Sequence, residues 1–249
     1  MTRNTMLLVL LWISVLLLAG CGGDEMPASP NKEADAPVQN AAPAQPSNAT
    51  GGTTTIKGEV WADNWFAFYA GEQLIQEDSV PITTERSFNA ETFTFDASYP
   101  LVLNFIVKDY KENDTGLEYI GTNRQQMGDG GFIAQFTDAI TGELIAATDA
   151  AWSCLVIQEA PLDKSCEREA NPVAGQAPCD FMAMDEPANW KRADFDASAW
   201  AGATVYTAAQ VGPKDGYEQI RWNQAANLIW GPDLETNNTL LCRVVVAGP

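Results

Sequence analysis

No histidine occurs anywhere in the 249-residue chain. That removes Ser-His-Asp and Cys-His nucleophile systems and every imidazole metal site. The groups left to do chemistry are carboxylates, thiols and aromatic rings. The stretch DNWFAFYAGEQL, residues 63–74, gathers two of these types. Asp63 and Asn64 can hydrogen-bond hydroxyl groups. Trp65 and Tyr69 offer flat apolar faces of the kind that stack on sugar C–H bonds. The alternative is that the Cys-bearing segment 158–188 folds over both rings, because bare aromatics are costly to leave in water.

A second candidate is Asp129 in QMGDGGF, residues 126–132. This run lacks the Lys-Ser/Thr of a phosphate loop and precedes a strand pattern, not a helix. One reading is a tight turn with Gly128, Gly130 and Gly131 at positive φ. The sharper one is Asp129 as a calcium (Ca2+) ligand. A third candidate is KDYKENDTG, residues 108–116. Its Asp109, Glu112 and Asp114 lack the order of an EF-hand loop and read as solvated. Paired carboxylates for glycoside hydrolysis remain open. With 33 acids in the chain, some pair always fits that pattern. The expectation is therefore a non-catalytic binding module rather than an enzyme.

Those 33 acids face only 14 Lys and Arg, for a net charge of −19. Nucleic acid is excluded as a partner, since its phosphates need a basic surface. Apart from Cys21, the cysteines are Cys154, Cys166, Cys179 and Cys242. An even set in an exported chain reads as two disulfides, with three connectivities open. Zinc would need all four thiolates, and none stands in a CxxC pair.

Export itself is read from the N-terminus. Arg3 precedes the apolar run MLLVLLWISVLLLAG, residues 6–20. Such a run closed by small residues is a secretory signal, and it is short for a membrane span of about 20 residues. The junction Ala19-Gly20-Cys21-Gly22 resembles the bacterial lipobox. That resemblance implies cleavage before Cys21, acylation of its thiol and anchorage in a lipid bilayer. Gly rather than Asp at position 22 implies the outer membrane. Residues 21–55 are rich in Pro, Ala, Asn and Gly and read as a disordered tether. The folded domain is expected over residues 56–249, with one core.

The elements that must position the candidate residues are strands. Period-two alternation runs through 55–62, 65–70, 73–78, 87–97, 101–110, 132–138, 142–149, 151–157, 203–208, 227–230 and 239–248. It places Phe66 and Phe68 on one face of their strand and Trp65, Ala67 and Tyr69 on the other. Helix is confined to a turn or two, near 186–190 and 209–213. Segment 158–188 has no periodicity and is pinned by Cys166 and Cys179. The fold class is all-β, an antiparallel β-sandwich with a long disulfide-pinned loop.

Three stretches resemble galactose-binding-domain-like jelly rolls. They are FAFYAGEQL (66–74), ATDAAW (147–152) and NWKRADFDASAWAGA (189–203), the last with Trp190, Phe195, Asp196, Ser198, Trp200 and Ala203 in place. LIW (228–230) and LLCRVVV (240–246) are similar to the closing strands. The resemblance implies a jelly roll and, loosely, carbohydrate as ligand. Asp196 and Ser198 are expected to fix a turn that drives Trp200 into the core. Carbohydrate binding leads. A structural lipoprotein contacting another envelope protein is the alternative, with a glycan-active enzyme behind both.

Overall fold

The computed structural model describes residues 52–248. The expected signal peptide at 1–20, Cys21 and the tether as far as residue 51 lie outside the described residues. Among the described residues, no helix is long and apolar enough to cross a membrane.

The alternating stretches become strands: β1 (Thr54–Asp63), β2 (Trp65–Ala70), β3 (Gln73–Glu77), β4 (Asn89–Ala97), β5 (Leu101–Lys108) and, after two short strands, β8 (Gly131–Asp138). The short pair is β6 (Leu117–Glu118) and β7 (Gln126–Met127). Then follow β9 (Leu144–Ala147), β10 (Ser153–Glu159), β11 (Met182–Ala183), β12 (Ala201–Gly202), β13 (Thr204–Tyr206), β14 (Leu228–Trp230) and β15 (Asn237–Val246). The helix expected near 209–213 forms as the single turn α1 (Ala208–Val211), whereas 186–190 is a non-helical turn. Two 3-10 turns, Lys164–Arg168 and Tyr217–Gln219, had no periodicity to announce them.

Among the described residues, two large antiparallel sheets result, beside the two-stranded β6-β7 pair. One runs β13-β14-β8-β1-β4 with β9 on β8; the other runs β11-β10-β15-β5-β2-β3 with β12 on β10. The chain crosses between them at Asp63-Asn64, where β1 ends and β2 begins. The sheets bury Ile56, Val60, Phe66, Phe68, Leu103, Phe105, Phe132 and Phe136 between them. Phe66 and Phe68 among them are the face that period two sets opposite Trp65, Ala67 and Tyr69. Trp152 joins the same core, its indole N–H donating to the Ala147 carbonyl at 2.9 Å.

Both sheets also carry apolar residues on their outer faces. On the second sheet, Trp65, Ala67, Tyr69, Ile106 and Leu241 pack under Trp190, Phe195 and Trp200. The cover is thus residues 190–200 and not segment 158–188, whose cystine packs instead with Leu117, Ile120 and Met127. The physical reason is supply: the later stretch brings three large rings, the earlier one almost none. Trp200 accordingly does not enter the main core. It is half-buried on the outer face, with its ring 5.9 Å from Trp190 and 5.5 Å from Phe195. Asp196 does fix the local turn, accepting the Ser198 backbone N–H at 2.9 Å.

The cover is bolted down by two buried polar side chains. Arg243 on β15 donates to the carbonyls of Phe195 and Arg192, each at 2.9 Å. Asn104 on β5 donates to the carbonyls of Gly71 at 2.9 Å and Lys191 at 3.0 Å. On the first sheet, Trp61, Ile133 and Leu228 are covered by Val211 of α1 together with Tyr217 and Trp222.

Two disulfides form, Cys154–Cys242 across the directly paired strands β10 and β15, and Cys166–Cys179 within the loop. Loop-closure entropy ranks them: their sequence separations of 88 and 13 correspond to about 4.6 and about 2.9 kcal/mol. Replacing Cys154 and Cys242 together by Ala is expected to lower unfolding free energy more than replacing Cys166 and Cys179, as measured by urea denaturation. Trp190→Ala, removing a side chain only 2% exposed, is expected to cost about 3–5 kcal/mol in the same assay. Trp65→Ala, under the same cover but half-buried, should cost less than that and more than a surface change.

Candidate functional site

The crossing at Asp63-Asn64 places two of the candidate residues at one end of the sandwich. Asn64 is fully buried and fully engaged. Its backbone N–H donates to the Lys108 carbonyl at 2.8 Å, its amide to the Glu85 carbonyl at 3.2 Å, and its oxygen accepts the Tyr110 N–H at 2.5 Å. It ties three segments together, and its 0% exposure keeps it from a ligand hydroxyl. Trp65 and Tyr69 lie under the 190–200 cover, with the ammonium groups of Lys108 and Lys191 at 4.8 and 4.4 Å from their ring centroids. Of the four expected residues, Asp63 and Asn64 are thus fully buried at the sheet crossing, while Trp65 and Tyr69 are half-buried on the outer face of the second sheet. Alternation along β2 separates its rings from Asp63.

Asp63 instead meets two other acids. Asp109 follows β5 directly and is held by its N–H donating to the Asn238 carbonyl at 2.9 Å. Asp129 lies between β7 and β8. One carboxylate oxygen from each of the three falls within 4.8 Å of the others. Asp63 is 0% and Asp109 2% exposed. The expectation that Asp109 belongs to a solvated loop is thus overturned. It has left that loop for the interior, while Lys111 and Asp114 pair with each other outside. Lys214 reaches in from the 212–216 turn, its Nζ 2.7 Å from Asp129 Oδ2 and 3.3 Å from Asp63 Oδ2. Even so, Asp63 Oδ1 and both oxygens of Asp109 are buried without a hydrogen-bond partner among the described residues.

Local sequence makes room for this. Gly128 is required because a Cβ there would stand 1.8 Å from Asp109 Oδ2. None of Gly128, Gly130 and Gly131 has a positive φ, so the expected turn explanation is corrected: these glycines permit close approach. Gly130 lies against the indole of Trp230 in the same way.

The electrostatics follow from burial. Desolvation, then the charge of Asp129, push Asp63 up to about 7 despite Lys214. Asp109 is held well above the usual carboxylate range, first by desolvation and then by Asp63, Glu118 and Asp129. Glu118 on β6 rises to about 8 for the same leading reason, with Asp129 next. Burial works against the Lys214 ammonium, but Asp63 and Asp129 outweigh it and raise its pKa.

Glu118, Asp129 and Lys214 also border a pocket of about 370 Å³, which Tyr119, Arg124 and Gln126 help to line. The Arg124 guanidinium lies 3.7 Å from the Tyr119 ring centroid and 3.7 Å from Glu85 Oε1. Tyr119 adopts φ 51°, uncommon for a bulky residue and a mark of local strain. Sequence reasoning missed Glu118, Tyr119, Arg124 and Lys214. The local signal nearest to them is the Gly-rich run around Asp129, read as a tight turn or a calcium ligand.

Gly128→Ala is expected to destabilise the domain by about 1–3 kcal/mol through overpacking. Combining it with Asp109→Ala should recover part of that loss, because the clash partner is gone. A double-mutant cycle in urea reads the coupling.

Against this fold and this cluster, no protein-family model, no curated protein and no solved structure matches the chain.

Proposed function

We propose that this chain is an exported, lipid-anchored protein whose β-sandwich binds carbohydrate in the pocket beside Tyr119. One observation carries the reading. The pocket sets acceptors (Glu85, Glu118, Asp129) and donors (Arg86, Arg124, Lys214) of both signs around a half-buried tyrosine ring. A neutral ligand whose every hydroxyl both donates and accepts suits such a lining better than an anion or a cation does. Aromatic carbon supplies a surface for the C–H faces of a sugar ring. The lipobox-like Cys21 and the galactose-binding-like FDASAW stretch agree with this reading. Outer-membrane anchorage through Cys21 belongs to the same proposal.

A second reading rests on Glu118. A carboxyl held to about 8 by burial stays protonated at neutral pH and can serve as a general acid in glycoside hydrolysis. It needs a second carboxylate across the scissile bond, for which Asp129 and Glu85 are the pocket's candidates.

Two experiments test the proposal. Cys21→Ser is expected to move the protein from the membrane to the soluble fraction without altering its thermal transition; retention on membranes rejects the anchor. The soluble protein is then screened on a glycan array. Binding that falls at least tenfold, about 1.4 kcal/mol, in Tyr119→Ala but not in Trp65→Ala supports the pocket. Binding to no glycan rejects it. Release of reducing ends from a bound glycan, lost in Glu118→Gln, would shift the function to the hydrolase.

A further inference from the structure

We propose that Asp63, Asp109 and Asp129 together form a binding site for a hard divalent cation, of the calcium type, at the inner edge of the pocket. The inference stands apart from the carbohydrate reading and does not need it.

The geometry comes first. Oxygens that coordinate calcium lie about 2.3–2.6 Å from it, so oxygens on opposite sides of one ion are about 4.8 Å apart. The three carboxylates each bring an oxygen within that span of the others. The donors are all oxygen, with no sulfur or imidazole, which selects a hard ion over zinc or copper.

Burial supplies the independent observation. Acid clusters at a surface are common and mean little. Here Asp109 is 2% and Asp63 0% exposed, and three of their four carboxylate oxygens lack any hydrogen-bond partner among the described residues. A buried carboxylate without a partner costs far more than a paired one. Native interiors satisfy such groups, and each exception calls for a cause. Gly128 is placed so that the Asp109 carboxylate fits where a Cβ would be. Asp109 is held in position by its backbone, through the Asn238 carbonyl, so its side chain is free to serve the cluster alone.

Lys214 does not fill this role. It touches one oxygen of Asp63 and one of Asp129 and leaves Asp109 without a hydrogen bond. Its side chain is 35% exposed, so it can swing outward when an ion takes those oxygens. Its departure opens the remaining coordination positions toward the pocket, where water can occupy them.

The test uses the purified full chain, dialysed against EGTA at low ionic strength, and calcium chloride as the probe. Calorimetry is expected to show one saturable site. Thermal unfolding is expected to shift up by about 5–10 °C at a hundredfold excess over Kd, given a domain of this size. Asp109→Asn and Asp129→Asn keep side-chain shape and are each expected to weaken calcium at least tenfold. The exposed Glu143→Gln should leave it unchanged. Asp109→Asn should also lose no stability in EGTA, because the carboxyl it replaces has no hydrogen bond to lose; a merely structural carboxylate would show the opposite. Lys214→Met should tighten calcium by removing its competitor. The proposal is overturned if neither calcium, magnesium nor manganese produces a saturable heat up to about 10 mM, roughly tenfold above the weak end of protein calcium sites at about 1 mM. It is equally overturned if Asp109→Asn and Asp129→Asn bind calcium as the parent does.

Discussion

The ring of Phe68 is the contact on which the two sheets depend. It lies 4.9 Å from Phe105 on its own sheet and 5.0, 5.3 and 5.5 Å from Phe136, Phe95 and Phe93 on the other. Tilted and edge-on aromatic pairs at these distances add to the area they bury. A strand has only two faces. Once Phe66 and Phe68 point inward, Trp65, Ala67 and Tyr69 must point out, and the chain has to find something to lay over them. The main core thereby dictates the existence of a second layer.

That second layer is where polar groups enter the interior, and there they are paired. Arg243 is 4% exposed and Asn104 0%, yet Arg243 donates to the Arg192 and Phe195 carbonyls and to Asn104 Oδ1, and Asn104 donates to the Lys191 carbonyl of the same covering chain. Those carbonyls belong to an irregular segment that lacks sheet partners of its own. The buried guanidinium and amide stand in for a missing strand. The cover needs no ligand to hold it, which is why Trp65 and Tyr69 read best as structure.

How much of this was legible in sequence depends on whether a signal was local. Period two identified the long strands and their inward residues, because side-chain direction alternates whatever lies around it. It could not register β6, β7, β11 and β12, each two residues long. Four cysteines in an exported-looking chain spelled two disulfides, but pairing is a tertiary fact. The site was the least legible part. Asp63, Asp109, Asp129 and Lys214 come from four separate connections, and only the fold brings them together. Gly128 was noticed for the wrong reason: sequence suggests backbone freedom at a glycine, whereas here the missing atom is what matters. Asp109 was misassigned because its neighbours Glu112 and Asp114 are exposed, and a charge next to solvated charges looks solvated.

The molecule therefore treats buried polarity in two ways, and the difference separates structure from function. Under the cover, every buried donor named above has an acceptor, and the arrangement is complete without anything added. At the Asp63 corner, the same chain buries two carboxylates, leaves three of their oxygens without a partner, and supplies one lysine that reaches only part of the cluster. Water-exposed pairing cannot explain this, because the groups are not exposed. Packing cannot explain it either, because a hydrophobic side chain of similar volume would fill the space without desolvating a charge. Burial is instead met by raised proton affinity at Asp63, Asp109 and Glu118. Three buried oxygens without a partner, beside carboxylates close enough to share one ion, are the geometry a cation would complete. The cluster lies next to the Tyr119 pocket, which Asp129 and Lys214 also line.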